Sequence, residues 1–178
     1  MATDLLPAYL AVGPDELKRN KMVERLKKRL DESFSAFNLD EFTGPTVDID
    51  VLVSALQTMP MGDSRRIVIL READKLSKAA SEVVILYLEN PNPTTTLLLT
   101  AQTLARTTRL YKAVAKIGAK SVVLCASMKP RELAPYVQKL AASYGLMIDF
   151  SAAQELVDTF QGGHKLFKST YEKIVHIN

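Results

Sequence analysis

Short apolar runs alternate with stretches of helical periodicity along most of this chain. Residues 8–12 form an apolar run that ends at Gly13-Pro14, and residues 66–70 form a continuous run rich in β-branched side chains. A continuous apolar run of this length between turn residues is typical of a strand that is buried on both faces. The same pattern predicts further strands at residues 37–39, 94–100 and 121–124.

Helices are predicted between the strands because apolar side chains recur there every three or four residues. Residues 15–30 carry one such stripe, and further helices are predicted at residues 48–56, 77–88 and 108–116. Asp48 and Ser77 stand at cap positions, where a side-chain oxygen accepts a hydrogen bond from a main-chain N–H. Strands separated by helices predict right-handed crossovers, and therefore an α/β fold with a parallel sheet covered by helices on both faces.

The pattern changes after Cys125, where helical periodicity replaces the alternation of strands and helices. Helices are predicted at residues 130–144, 152–160 and 165–175, with Met147-Ile148 as the one candidate strand. We therefore expect an α/β domain at residues 1–125 and a small helical domain at residues 126–178. The last predicted helix stops at Asn178 without a terminating residue, which favours a fragment of a longer protein.

Composition is that of a folded globular protein and excludes several classes of function. The chain has 178 residues with 47% hydrophobic and 24% charged side chains, and its net charge is +3. A net charge this small does not by itself indicate that the chain binds nucleic acid or a membrane. The apolar stretches are far shorter than the ~20 residues that span a bilayer, and the N-terminus lacks a signal-peptide pattern. We expect a cytoplasmic protein with no membrane partner.

Few residues are candidates for chemistry. Cys125 is the single cysteine and follows an apolar run, where a cysteine is typically a small buried hydrophobe. His164 and His176 are isolated, so no metal site is predicted. The acidic pairs Asp40/Glu41 and Asp48/Asp50 fit loop ends and helix caps. No catalytic residue and no cofactor are predicted.

The turn after the first strand is where an α/β fold of this kind usually binds phosphate. A phosphate loop needs a second glycine and a lysine–hydroxyl pair, whereas residues 13–20 read GPDELKRN and supply only Gly13. Asp15 and Glu16 begin the helix, where they suit its positive end and repel a phosphate. A self-capped helix is the better interpretation of this turn.

The end of the strand at residues 66–70 is the second place where nucleotide chemistry is expected. Active ATPases of this shape place an acidic Mg²⁺ ligand there, and this chain has Arg71 followed by Glu72. Because a cation occupies the position of the metal ligand, ATP hydrolysis is not expected. The missing phosphate-loop residues and the missing acidic Mg²⁺ ligand are independent losses, and together they are a stronger argument than either alone.

The first predicted helix is rich in basic side chains, among them Lys18, Arg19 and Arg25. A basic stripe of this kind can follow the phosphates of DNA. It is more often a solvated helix face, and Glu24 and Asp31 partly offset its charge. Contact with DNA through Lys18, Arg19 and Arg25 is therefore the less favoured hypothesis.

Several segments resemble the AAA+ clamp-loader pattern: READKLS at residues 71–77, EVVILYLENP at residues 82–91 and TLLLTA at residues 96–101. The whole chain then resembles the delta-subunit family of bacterial DNA polymerase III. Further matching segments are YLAVGPDE at 9–16, LQTMP at 56–60, RRIVILR at 65–71, NPNPT at 90–94 and TRLYKA at 108–113. The similarity covers most of residues 8–125.

The resemblance implies an AAA+-like domain followed by a helical lid, with the family's C-terminal collar absent from this chain. It implies a subunit of the DNA polymerase III holoenzyme that binds the ring-shaped sliding clamp and holds it open without being an ATPase. The partners implied are the sliding clamp (beta subunit) and the gamma/tau and delta prime loader subunits, with DNA met indirectly.

The resemblance also implies where the clamp binds, at a small apolar plug before the third strand. That position holds Met59, Pro60, Met61 and Gly62. The family places two bulky apolar residues after the proline, whereas here Gly62 follows Met61. Either Met59 and Met61 share the contact or the affinity is weaker, and the alternative is that both methionines pack in the core. Two other functions are considered: a divergent NTPase or phosphotransferase, and a DNA-binding module.

Overall fold

The computed structural model of the chain describes residues 5–159. Five parallel strands form one sheet in the order β2-β3-β4-β1-β5. The strands are β1 (Ala8–Val12), β2 (Leu39–Thr43), β3 (Arg66–Arg71), β4 (Thr95–Ala101) and β5 (Val122–Leu124). The expected α/β fold with a parallel sheet is thereby confirmed.

Seven α-helices follow or connect the strands in the described part of the chain. They are α1 (Glu16–Lys27), the single turn α2 (Ser35–Asn38), α3 (Ile49–Gln57), α4 (Lys78–Glu89), α5 (Arg109–Ile117), α6 (Pro130–Ser143) and α7 (Phe150–Thr159). Asp48 and Ser77 cap α3 and α4 as predicted, because their side chains accept main-chain N–H groups of the first turn.

The central strands are buried because helices cover both faces of the sheet. Leu10, Val68 and Leu99 face α3, α4 and α5, and Ile67 and Leu98 on the opposite face lie with α1. Alternate side chains of a strand point to opposite faces, so the centre of a strand covered on both sides is apolar at consecutive positions. This explains the apolar runs at residues 67–70 of β3 and 97–99 of β4.

The second strand was predicted too early in the sequence. Residues 35–38 form the helical turn α2, and β2 begins at Leu39. Asp40 and Glu41, predicted in loop ends, lie in β2 instead. Since β2 is an edge strand of the sheet, its polar side chains reach solvent and its sequence lacks the apolar run of a central strand.

The chain divides into two compact units, of which residues 5–126 and 127–159 are described. In the second unit, α6 and α7 bury Ala134, Val137 and Ala153 between them. Met147 and Ile148 form no strand, because they belong to the link between the two helices, where Ile148 packs against this small core. The helix predicted at residues 165–175 lies outside the described residues.

Candidate functional site

The turn between β1 and α1 lies at the edge of the sheet where the parallel strands end. It consists of Gly13, Pro14 and Asp15. The Gly13 N–H donates to the Ala101 carbonyl at 3.1 Å, and the Asp15 N–H donates to the Cys125 carbonyl at 3.0 Å. The Asp15 carboxylate accepts the Lys18 N–H at 3.0 Å. Main-chain N–H groups that cradle a phosphate in a longer loop are therefore bonded within the protein here.

Basic side chains of α1 take part in the same turn. The Arg19 guanidinium donates to the Gly13 carbonyl, and the Lys18 ammonium donates to the Ala126 carbonyl at 2.8 Å. Lys18 also lies 3.5 Å from the Asp15 carboxylate. Arg25, the third residue considered for DNA contact, lies on the exposed surface of α1. Lys18 and Arg19 thus bond to carbonyls at or near the turn, whereas Arg25 lies apart from them on the helix surface.

Arg71, at the end of β3, is held by a network of polar contacts. Its guanidinium donates to the Asn20 side-chain oxygen at 3.1 Å and lies 3.2 Å from the Glu41 carboxylate. Lys27 forms a second ion pair with Glu41. Burial by itself would raise the pKa of Glu41, but hydrogen bonds and charge from Lys27 and Arg71 outweigh it and lower the pKa.

An open cleft of about 220 Å³ lies beside this network at the carboxyl edge of the sheet. Its basic lining residues are Arg19, Arg71 and Lys75. Each of them is bound to a group of the protein, and the Lys75 ammonium lies 3.0 Å from the Glu72 carboxylate. Three acidic side chains, Glu16, Glu72 and Asp74, line the same cleft, so its charges are balanced in number.

The loop between α3 and β3 lies at the opposite edge of the sheet, where the strands begin. It carries Met59 and Met61, which are 66% and 60% exposed to solvent. The alternative that these methionines pack in the core is therefore wrong. Pro60 between them is half-buried and Gly62 is exposed.

Residues 31–38, just before β2, hold this loop in place. The Asn38 side-chain amide accepts the Met61 N–H and donates to the Met61 carbonyl, both at 2.8 Å. The Asp63 carboxylate accepts the Asp31 N–H at 3.0 Å, and this bond lowers the pKa of Asp63. Gly62 has φ +66°, and a Cβ there would lie 2.4 Å from the Phe34 ring.

Asn38 and Phe37 are the residues of this region that the sequence did not single out. Asn38 is fully buried, and Phe37 beside it is 57% exposed. The contact of Asn38 joins residues 23 positions apart, so no local pattern in the sequence reveals it. The Arg66 guanidinium donates to the Phe37 carbonyl at 2.8 Å and so ties the segment to β3.

Other candidate chemistry is limited within residues 5–159. No group of three His, Cys, Asp or Glu side chains there is arranged to hold a metal ion, and His164 and His176 lie outside the described residues. Cys125 is buried as predicted, and burial raises the pKa of its thiol. Among these residues, no helix has the length and apolar character needed to cross a bilayer.

Comparison with known proteins places the chain within a family. The family model described as DNA polymerase III, delta subunit, matches residues 9–126. No curated protein sequence matches the chain. Among solved structures, the chain is similar to the DNA clamp loader delta protein of Bacillus subtilis, with a TM-score of 0.71 and 22% identity over 96% of this chain and 53% of that one.

Two proteins of Thermotoga maritima are similar in fold. A DNA polymerase III gamma subunit-related protein has a TM-score of 0.51 and 18% identity over 86% of this chain and 53% of its own. A RuvB variant has a TM-score of 0.64 and 17% identity over 98% and 57%. The chain thus spans about half the length of the solved structures that it matches.

The strand order and the covered parallel sheet define an α/β domain of the AAA+-like class. Because the family model matches more than half of its length, the chain belongs to the DNA polymerase III delta subunit family. The resemblance drawn from residues 71–77, 82–91 and 96–101 is thereby confirmed.

Replacing Gly13 by alanine should destabilise the first unit by about 1–3 kcal/mol or more. Gly13 has φ +142°, and an added Cβ would lie 2.2 Å from the Cys125 carbonyl oxygen. Gly118→Ala is the matched control because nothing lies within 4 Å of its added Cβ. Urea denaturation of both variants measures the difference, and equal stabilities would contradict the tight turn described above.

Replacing Glu41 by glutamine should lower the free energy of unfolding at neutral pH by up to about 1 kcal/mol. Because the folded-state pKa of Glu41 lies below the ordinary 4.5, its contribution is complete above that value and disappears as the pH falls through the folded-state pKa. Urea denaturation from pH 7 to pH 3 should therefore show wild type and variant converging in acid.

The matched control for this experiment is Glu89→Gln, at an exposed position of α4. It should change stability little at any of these pH values. A gap between wild type and Glu41→Gln that stays constant down to pH 3 would argue against the ion pairs with Lys27 and Arg71.

Proposed function

We propose that this chain is a non-catalytic clamp-loader subunit that binds the sliding clamp and helps to open it during DNA replication. The observation that carries the proposal is the pair of exposed methionines on the loop before β3, in a chain of the delta-subunit family. The clamp contact is assigned to Met59, Pro60, Met61 and Gly62. A sliding clamp would receive the two methionine side chains in an apolar pocket.

Exposed methionines suit such a contact for a physical reason. Methionine is unbranched and polarisable, so it adapts to irregular pockets. Burying one fully is worth about 1.5–3 kcal/mol, and a few such side chains carry most of the energy of an interface. Phe37 adds an exposed aromatic ring in the segment to which the loop is bonded.

Gly62, which departs from the bulky pair typical of the family, has a local explanation. The loop takes a positive φ at this position and runs against the Phe34 ring, so a larger residue would be strained and would clash. This supports the interpretation in which Met59 and Met61 share the contact.

The proposal of a non-catalytic subunit is supported by the carboxyl edge of the sheet. Its first turn is only three residues long and is bonded within the protein. Arg71 occupies the end of β3, where its charge disfavours Mg²⁺. Both features argue against the divergent NTPase or phosphotransferase.

The proposed setting of this subunit is the DNA polymerase III holoenzyme in the bacterial cytoplasm. We assign residues 1–125 to an AAA+-like domain and residues 126–178 to a helical lid. Its proposed partners are the sliding clamp, gamma/tau and delta prime, while DNA is met indirectly. A direct DNA contact would involve chiefly Arg25, since Lys18 and Arg19 are bonded to main-chain carbonyls.

Replacing Met61 by alanine should weaken binding to the sliding clamp about five- to thirtyfold, which corresponds to ~1–2 kcal/mol. Since the side chain is exposed, the stability of the fold should change by less than about 0.5 kcal/mol. Titration calorimetry with the sliding clamp of the same organism measures the affinity. Met147→Ala is the matched control, because Met147 is 99% exposed on the second unit.

An unchanged dissociation constant for Met61→Ala would remove this residue from the site. A loss of similar size in Met147→Ala would show that the effect does not depend on the loop before β3. The double variant with Met59→Ala should bind more weakly than either single variant.

Mg·ATP should leave the melting temperature of the chain unchanged at millimolar concentration. A ligand that binds only the folded protein at a hundred times its dissociation constant adds ~2.7 kcal/mol, which raises the melting temperature by several degrees in a chain of this size. A thermal-shift measurement with Mg·ATP, and with ATP in EDTA as control, tests this. A rise that requires magnesium would favour the NTPase.

A further inference from the structure

Asn38 is a fully buried polar residue that uses its whole side-chain amide on one exposed loop. Its oxygen accepts the Met61 N–H and its nitrogen donates to the Met61 carbonyl, both at 2.8 Å. Asparagine carries an acceptor and a donor side by side, so it pairs with the main chain of Met61 as a neighbouring strand would. The two bonds fix both main-chain polar groups of one loop residue.

The residue held in this way has its side chain in solvent. Met61 is 60% exposed whereas Asn38 is 0% exposed, so the bonds run from the interior to a surface residue. A buried amide is costly unless it is hydrogen-bonded, and here both bonds depend on the loop keeping one conformation. The stability of the buried amide is therefore coupled to the conformation of the loop.

Other contacts restrain the same loop from the same segment. The Phe34 ring lies against Gly62, and the Asp31 N–H donates to the Asp63 carboxylate at 3.0 Å. The Arg66 guanidinium bonds to the Phe37 carbonyl and so fixes the segment itself to β3. Residues 31–38 thus restrain residues 61–63, and within this segment Asn38 is the residue that binds Met61.

We propose that Asn38 is a positioning residue of the clamp-binding site, which holds the main chain of Met61 so that Met59 and Met61 are presented in their binding conformation. The inference rests on the proposed function. Its physical basis is preorganisation, because a loop that is already ordered loses less conformational entropy when it binds. Asn38 acts through Met61 and, being buried, does not touch the clamp.

Hydrogen exchange tests the anchor without any partner. In the wild-type chain the Met61 amide should exchange slowly for a residue on an exposed loop, and Asn38→Ala should accelerate its exchange about tenfold or more. Exchange followed by NMR resolves this single amide. Rapid exchange of the Met61 amide in the wild type would overturn the anchor, whatever the affinity for the clamp.

Cys125→Ala is the control for a general loss of stability. Cys125 is buried directly after β5, where its N–H donates to the Val12 carbonyl at the carboxyl end of β1, so its truncation destabilises the unit without reaching the loop. Acceleration of Met61 exchange beyond the change in global stability should occur only in Asn38→Ala. Equal local acceleration in both variants would show that Asn38 is merely structural.

Calorimetry with the sliding clamp of the same organism tests the role in binding. Asn38→Ala should weaken binding about tenfold while Cys125→Ala leaves the affinity unchanged. If Asn38 acts through Met61, Asn38→Ala combined with Met61→Ala should bind less weakly than the product of the two single effects predicts. Independent, multiplicative effects would overturn the proposal.

Gly62→Ala provides a second variant in case Asn38→Ala does not fold. Its added Cβ would meet the Phe34 ring at 2.4 Å, so it disturbs the loop while Asn38 stays intact, and binding should again weaken. Unchanged affinity in this variant would argue against preorganisation. If the Met61 amide is protected but the wild type does not bind the clamp, the proposed function and the binding role of Asn38 both fail.

Discussion

Burial of the three central strands on both faces is the constraint on which the rest of the structure depends. β3, β4 and β1 lie side by side, with α1 on one face and α3, α4 and α5 on the other. Since both faces are covered, β3 and β4 are apolar at their centres, residues 67–70 and 97–99, and charged groups gather at the two edges where strands begin and end. The edge strand β2 supplies Asp40 and Glu41, whose ion pairs with Arg66 and Arg71 join it to the centre.

At the carboxyl edge of the sheet, the polar groups bond to one another. The N–H groups of Gly13 and Asp15 in the three-residue turn donate to the carbonyls of Ala101 and Cys125. Arg71 contacts both Asn20 and Glu41. The charges of Arg71 and Lys27 are paired with Glu41 within the fold. In the proposed function the sheet serves as a scaffold, which is consistent with membership of the delta-subunit family.

The amino edge has the opposite character, because it places apolar side chains in solvent on a restrained backbone. Such exposure weakens the fold little and is useful only to a partner that covers it. The contacts of Asn38, Phe34 and Asp31 with residues 61–63 limit the freedom of the loop. The proposed function thus depends on the edge where the strands begin, not on the edge where they end.

The sequence by itself determined the α/β class, the central strands and the helix caps, because these depend on local periodicity and on neighbouring residues. It also determined the family, through motifs in the first 126 residues. Only the tertiary structure decided the start of β2 after a helical turn, since an edge strand has no continuous apolar run. Packing likewise decided that Met59 and Met61 are exposed. It also decided the contact of Asn38 with Met61, because this contact joins residues 23 positions apart.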